Sequence, residues 1–328
     1  MGLLNVIKKH LTMQYVGVIV HETSCVVKIK KVKNAQTIHE EEKQFTIPSK
    51  EKLSKEVIVF LQSLQEEVEQ TYIALFLNSH GQGVVPSCAK FAYEKFHIEY
   101  DHVKVICIDR KYSIYASNID IRWAEKIFSE TGLDFIFSPF LMLDNLRKHE
   151  SRREGIVLHM LTSHNSITIM IFDKETLLYG TFINIAKEED LLNTDFTEEI
   201  IDEDDTFDEI DLDMELEESD EIAEILENAT IDTEVKSSAQ DENDTIKLKL
   251  FGQDLRLVKY FDASLREFYE NDLYKSDFVT YVKIYDTTSL NEDIVHYLKE
   301  QLLVDISIRK INIEDELIAL IEQETGRA

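Results

Sequence analysis

Apolar and polar residues alternate over 15–32 around a Glu22-Thr23-Ser24 turn, the period-2 pattern of a β-hairpin. An extended piece, KQFTIP, follows and ends at Pro48. The period then lengthens: over 52–70, Val57, Phe60, Leu61, Leu64 and Val68 recur at helical spacing, with Glu and Gln on the other face. YIALFLNS, residues 72–79, predicts a buried strand that ends in the loop HGQG, and VKVICI predicts another at 103–108. A helix over 121–131 closes at Gly132, and FIFSP turns into a helix over 140–149. Residues 155–185 then read as three strands, which repeats the opening design. Further on, IKLKLFG (246–252) reads as extended, 255–269 as a helix with Leu257, Val258, Phe261, Leu265 and Phe268 on one face, and 278–286 as a strand. A helix over 290–303, the strand VDISIRKI and a closing helix over 314–324 complete the pattern. The order hairpin, helix, strand, helix, met twice, predicts a two-lobed α/β protein.

Charge changes this picture in one place. Residues 188–244 hold 26 Asp and Glu against the single base Lys236, a local net of −25, leaving 38 acids against 34 bases in the rest of the 328-residue chain. The protein therefore reads as near-neutral and globular with one acidic insertion at 187–245. Solvated disorder is its expected state, although Ile210, Leu212, Met214, Leu216, Ile222, Ile225 and Leu226 give it a composition that can fold on a partner, as a tether or as a mask for a basic surface. A surface so acidic repels phosphates, which argues against nucleic acid as a partner.

Other candidate chemistry is thin. No apolar run approaches the ~18 to 20 residues of a membrane helix, and the start lacks a signal peptide, so a cytosolic location is expected. Leu3, Leu4, Val6 and Ile7 beside Lys8 and Lys9 suit packing on the first lobe or a membrane-surface contact; Val6 breaks the myristoylation pattern. Cys25, Cys88 and Cys107 sit in apolar, strand-like surroundings and are expected as buried reduced thiols. The ten histidines show no zinc-type spacing, and His159 and His164 read as core and turn residues. Trp123 reads as a packing residue. In 78–83 serine adjoins histidine, but no third group orients them, so a polar connection is expected. DEDDTFDEIDLD offers no glycine for a calcium loop.

Several stretches together resemble one family. MGLLNVIKK opens as the type IV pilus assembly protein PilM family does, Gly17-Val18-Ile19-Val20-His21-Glu22-Thr23-Ser24 falls on that family's first phosphate loop, and AEKIFSETGLDFIFSPFLMLDNLR is similar to its helix–turn–strand–helix segment. The strands from Gly155 are similar to the second phosphate loop, LVKYFDASLREFYEN to the helix before the adenosine loop, and VKIYDTTSLNEDIVHYLKEQLLVDISI to that loop with its flanks. The resemblance implies an actin-like, ribonuclease H-like fold related to FtsA, with a first lobe over 1–150 and a second over 151–186 and 246–328.

The departures from the family pattern are equally informative. Aspartates in the two phosphate loops hold or position Mg²⁺ in active relatives, and hard cations require oxygen ligands. Here the corresponding residues are Ile19 and, on this alignment, His159; the glycines that bare the backbone are His21 and Leu161. The adenosine loop reads Tyr285-Asp286-Thr287-Thr288, with side chains where a purine needs space. Apolar groups cannot bind Mg²⁺ and imidazole suits it poorly. Glu22, beside Thr23 and Ser24, could replace one ligand but not the whole set. These positions predict vestigial nucleotide loops, a pseudo-ATPase without catalytic residues, metal or cofactor.

With the resemblance, this implies a cytoplasmic scaffold in a bacterial cell-envelope machine, a type IV pilus or transformation system or a flagellar-motor or secretion derivative. Its expected partner is a PilN-like single-span inner-membrane protein whose cytosolic tail docks in a groove of the first lobe. Membrane association would then be indirect, and a homo-oligomer within a ring is possible. The alternatives are an active actin-fold ATPase or sugar kinase, and an FtsA-type filament.

Overall fold

The computed structural model describes residues 11–151, 153–163, 165–185 and 241–327, with backbone alone for 241–255 and a few positions of the last helices. The chain runs β1 (Thr12–Val20), β2 (Ser24–Lys33), β3 (Gln36–Thr46), α1 (Lys55–Glu67), β4 (Gln70–Phe76) and β5 (Gln82–Val85). Two 3₁₀ turns (Lys90–Phe96 and Tyr100–His102) lead to β6 (Val103–Ile108), β7 (Tyr112–Ser117), α2 (Asn118–Ile127), β8 (Phe135–Phe137) and α3 (Pro139–Lys148). Then come β9 (Ile156–Thr162), β10 (Ser166–Asp173), β11 (Thr176–Asn184), α4 (Asp241–Glu270), β12 (Val279–Asp286), α5 (Glu292–Leu302), β13 (Asp305–Lys310) and α6 (Ile313–Arg327).

Two five-stranded sheets carry the fold, in the orders β3-β2-β1-β4-β8 and β11-β10-β9-β12-β13. In each, three antiparallel strands continue into two parallel ones. This is one ribonuclease H-like pattern used twice, and the pair makes an actin-like fold. A third sheet, β5-β7-β6, is inserted between β4 and β8.

Strand alternation sorts the side chains into layers. Along β1, Val16 and Val18 face α1 and α2, where they join Val57, Leu61, Ala124 and Phe128. Tyr15 and Ile19 face the opposite way, onto α3 and α6, with Phe140, Leu143, Leu317 and Ile321. The second sheet presents Leu161, Met170, Phe172 and Tyr285 to those same two helices. Its outer face, with Leu158, Met160 and Val282, packs on α4 and α5 through Phe261, Phe268 and Leu298. The central layer is thin enough that a methyl group added at Gly17 would come within 2.9 Å of Leu317 Cδ2. Trp123 is half-buried against the outer layer of the first sheet, as a packing residue would be.

Helix starts follow their caps. Ser54 and Ser138 precede α1 and α3 and accept hydrogen bonds from Val57 N and Phe140 N, and Pro139 fills the first turn of α3.

Two expectations about elements change. Residues 246–252 are helical within α4, not extended. Ile246, Leu248 and Leu250 alternate with lysines, but Leu248, Phe251, Leu255 and Val258 also recur at helical spacing and continue the apolar face seen at 257–268. The strand read as KQFTIP begins much earlier, at Gln36. The acidic stretch 187–240, His164 and the first nine residues lie outside the described residues.

Candidate functional site

The carboxyl ends of β1, β4, β9 and β12 converge on a mouth between the two sheets. Its cavity measures about 140 Å³ and is lined by Ile19, His21, Asn78, Ser163, Thr287 and Glu314 among others. Pockets that hold ligands of nucleotide size run to roughly 300–1,000 Å³. Beside the cavity, Ile19 is 4% exposed and packs with Phe76, Leu161 and Tyr285 in the interlobe core.

The turns at the mouth are closed by their own backbone. His21 N donates to Ser24 O at 2.8 Å, and Thr23 O accepts from Ile47 N at 3.0 Å. Glu22 and Thr23 are exposed. In the second turn, Ser163 N donates to Ser166 O at 2.9 Å, and the Ser163 and Ser166 hydroxyls share a 2.7 Å hydrogen bond.

Strand register moves two of the loop assignments. Val20 pairs with Cys25 as the last residue of β1, and Thr162 pairs with Ile167 as the last of β9. Across the parallel pairs, Ile19 lies opposite Phe76 and Leu161 opposite Tyr285. Leu161 is therefore the counterpart of Ile19, and Ser163 that of His21. His159 lies inside the strand, two residues further from the turn than the alignment implied. A slip of two keeps every side chain on its face, so the apolar pattern cannot detect it. Sequence reasoning missed Asn78 and Ser163, which only the folded strands bring to the mouth. Asn78 Oδ1 is buried there without a hydrogen-bond partner.

Asp286, the last residue of β12, is 2% exposed, and its carboxylate is engaged by its own turn and by Thr162 of β9. Oδ1 accepts from Thr162 Oγ1 at 3.1 Å and from Thr288 N and Oγ1, both at 2.9 Å, while Oδ2 accepts from Leu290 N at 2.9 Å. Thr287 Oγ1 donates to Thr162 O at 2.9 Å, which ties β12 to β9. Tyr285 is fully buried, and burial raises its phenol well above the ordinary value. Among the described residues, no group of three or more His, Cys, Asp or Glu could hold a metal ion.

A second concavity, of about 470 Å³, lies where two edge strands face each other: β6 of the inserted sheet and β8 of the first lobe. Ile106, Phe135, Leu141 and Leu320 supply apolar walls, with Asp134, Lys148 and Glu324 among the polar ones. Ile106 is 55% exposed.

Cys107 also lines this groove and forms a disulfide with Cys88, Cα to Cα 5.5 Å, which corrects the expectation of three reduced thiols. Val85 and Cys107 flank the same residue of β7, Ser113, so the chain leaving β5 curls back onto β6 and brings Cys88 to it. Cys25 alone is a buried free thiol, pushed up to about 12 by burial.

Fold and site together define an actin-like protein with a small mouth between its two sheets. The family model described as Domain of unknown function (DUF8341) matches residues 158–326, just over half of the chain, and the chain belongs to that family. A second model, Domain of unknown function (DUF8569), matches residues 11–144. No curated protein matches the chain. Among solved structures, a Bacteroides thetaiotaomicron protein with actin-like ATPase fold and unknown function aligns at 12% identity over 97% of this chain and 99% of its own, with a TM-score of 0.44. A PilM-PilN type IV pilus biogenesis complex aligns at 11% over 92% of this chain and 89% of the other, TM-score 0.49. An exopolyphosphatase from Cytophaga hutchinsonii aligns at 10% over 88% and 72%, TM-score 0.37. No helix among the described residues is long and apolar enough to cross a membrane.

Proposed function

We propose that this chain is a pseudo-ATPase scaffold of PilM type, which docks the cytosolic tail of a PilN-like single-span inner-membrane protein and works at the cytosolic face of a cell-envelope machine. The carrying observation is the closed mouth: Ile19, Leu161 and Tyr285 are buried where phosphate and metal would sit, around a cavity of about 140 Å³. The groove between β6 and β8 supplies what docking needs. An extended tail can add to an unpaired strand edge by main-chain hydrogen bonds while apolar side chains fill the walls, and Ile106, Phe135 and Leu141 offer such walls. Membrane attachment then comes through the partner, and copies can be arrayed in a ring by the machine they serve.

Calorimetry with Mg-ATP and Mg-ADP tests the missing activity. No saturable heat is expected; a micromolar dissociation constant would restore the reading of an actin-fold ATPase or sugar kinase. A photo-crosslinker at Ile106 or Leu141 tests the docking in cells. It should capture a small single-span membrane protein that a crosslinker at the exposed Phe91, which does not line the groove, does not; equal capture at all three positions would remove the groove from the reading.

A further inference from the structure

A cavity of about 760 Å³ lies at the other end of the second sheet, beside the amino ends of β9 and β12 and the β10–β11 hairpin. Six cations line it: Lys111, Arg147, Lys148, Arg153, Lys174 and Lys283. Its floor holds His159, only 7% exposed, whose Nδ1 faces the Tyr285 hydroxyl at 3.5 Å. When that hydroxyl donates to Nδ1, the imidazole carries its proton on Nε2, which has no hydrogen-bond partner among the described residues. His159 lines the cleft. Beside it the Arg147 guanidinium stacks 4.0 Å from the Phe172 ring centroid.

Carboxylates pair with four of the six cations and leave two: Asp144, behind the lining, holds Arg147 and Lys148, both at 2.9 Å. Asp109 is held by Lys148 at 2.7 Å, and Glu175 lies 3.6 Å from Arg147 and 3.8 Å from Lys111. Glu150 is shared between Lys283 at 3.6 Å and Arg309 at 3.4 Å. Arg153, stacked 3.7 Å from the Tyr281 ring, and Lys174 have no carboxylate partner among the described residues; Glu154, at the exposed rim, is the one lining acid in the same position. Uncommitted positive charge above a buried N–H donor suits one kind of ligand.

We propose that this cleft is a binding site for a multiply charged oxyanion of metabolite size, in which His159 Nε2–H and Arg147 hold one oxygen-rich group and Lys283, Arg153 and Lys174 surround the rest. Polyphosphate and polycarboxylate share that chemistry. The cavity volume falls in the range of small-molecule sites. Burial and the nearby Arg147 and Lys283 keep the imidazole neutral, so it donates a hydrogen bond without adding charge.

The test is calorimetry on the full chain with sodium pyrophosphate and with sodium citrate, each against sodium chloride at matched ionic strength. At least one should bind saturably with a Kd below about 1 mM, and the arm that does identifies phosphate or carboxylate as the recognised group. Binding should weaken at least fivefold in the double variant Arg153→Gln, Lys174→Gln, whose positions are exposed enough to leave folding intact. The ring resonances of His159, assigned by loss in His159→Gln, should move on titration. No saturation by either anion up to about 10 mM, weakening below fivefold, or an unmoved His159 signal would each overturn the proposal. Triphosphate that enters this cleft loses its heat in the same double variant, whereas heat from the mouth persists, so this site and the pseudo-ATPase reading fail separately.

Discussion

The two ends of the second sheet are built from the same strands, yet one is closed and the other open. At the carboxyl end of β9, Leu161 is 2% exposed and packs with Ile19 and Tyr285; in mid-strand, His159 on the same face lines a cleft of about 760 Å³ among six cations. Two residues separate these environments. One end of the interlobe layer is thus filled by apolar side chains, while a polar, charged opening lies along the same strands. Where shape complementarity among apolar groups holds the lobes, pH and salt matter little. Where ion pairs hold them, both matter.

The strongest way to break this comparison is to remove Asp144. Its carboxylate is 2% exposed and accepts from the Tyr112 hydroxyl and, at 2.9 Å, from both Arg147 and Lys148; Arg147 itself is 9% exposed. This network joins the β6–β7 hairpin, α3 and, through Glu175 and Phe172, the second sheet. Asp144→Ala leaves a buried guanidinium without its main counter-charge, a loss of about 3–5 kcal/mol. Urea unfolding measures it. Adding Arg147→Met to Asp144→Ala should recover part of the loss; a double variant no more stable than the single one would mean that the guanidinium is not the group stranded.

Legibility divided along the same line between apolar and polar control. The β1–β2 hairpin, β4, the β9–β11 strands and the faces of α1 and of α4 from 257 onward could be read directly, because each buries one periodic set of apolar side chains. The first half of β3 could not. QTIHEEE has little apolar surface, and its strand is held by pairing with β2, where Lys28 reaches Glu40 at 3.3 Å and Glu42 at 3.7 Å. The site was legible in residue type and not in register. Ile19 lies one residue inside the end of β1 and His21 just beyond it, and only the observed strand pairs make Leu161, not His159, the matching residue of β9. No residue pattern announced the charged cleft, since its cations come from α3, two hairpins, β12 and the segment between the lobes, and the Cys88–Cys107 bond was hidden because β7 sets it.

Acid sharpens the comparison with a smaller effect. The imidazole of His159 is brought down to about 3, first by burial and then by Arg147 and Lys283, against 6.5 for an exposed histidine. Between those values the unfolded chain binds a proton that the folded chain refuses, so acid favours unfolding. The contribution is complete above about pH 6.5 and is lost progressively as pH falls toward 3. From pH 7 to pH 5 the folded state should lose about 2 kcal/mol through this group. Asp109, held low by Lys148, titrates with the same sign at lower pH, while burial raises Glu314, Glu316 and Asp262 and gives them the opposite sign. The informative quantity is therefore a double difference: the pH 7 to pH 5 change in urea midpoint for the wild type minus that for His159→Gln. Ile19→Val provides the matching control at the closed mouth and should lower stability by about the same amount at both pH values, because no titrating group is altered. If His159→Gln kept the full acid sensitivity of the wild type, the charge asymmetry between the two ends of the sheet would have to reside in the carboxylates instead.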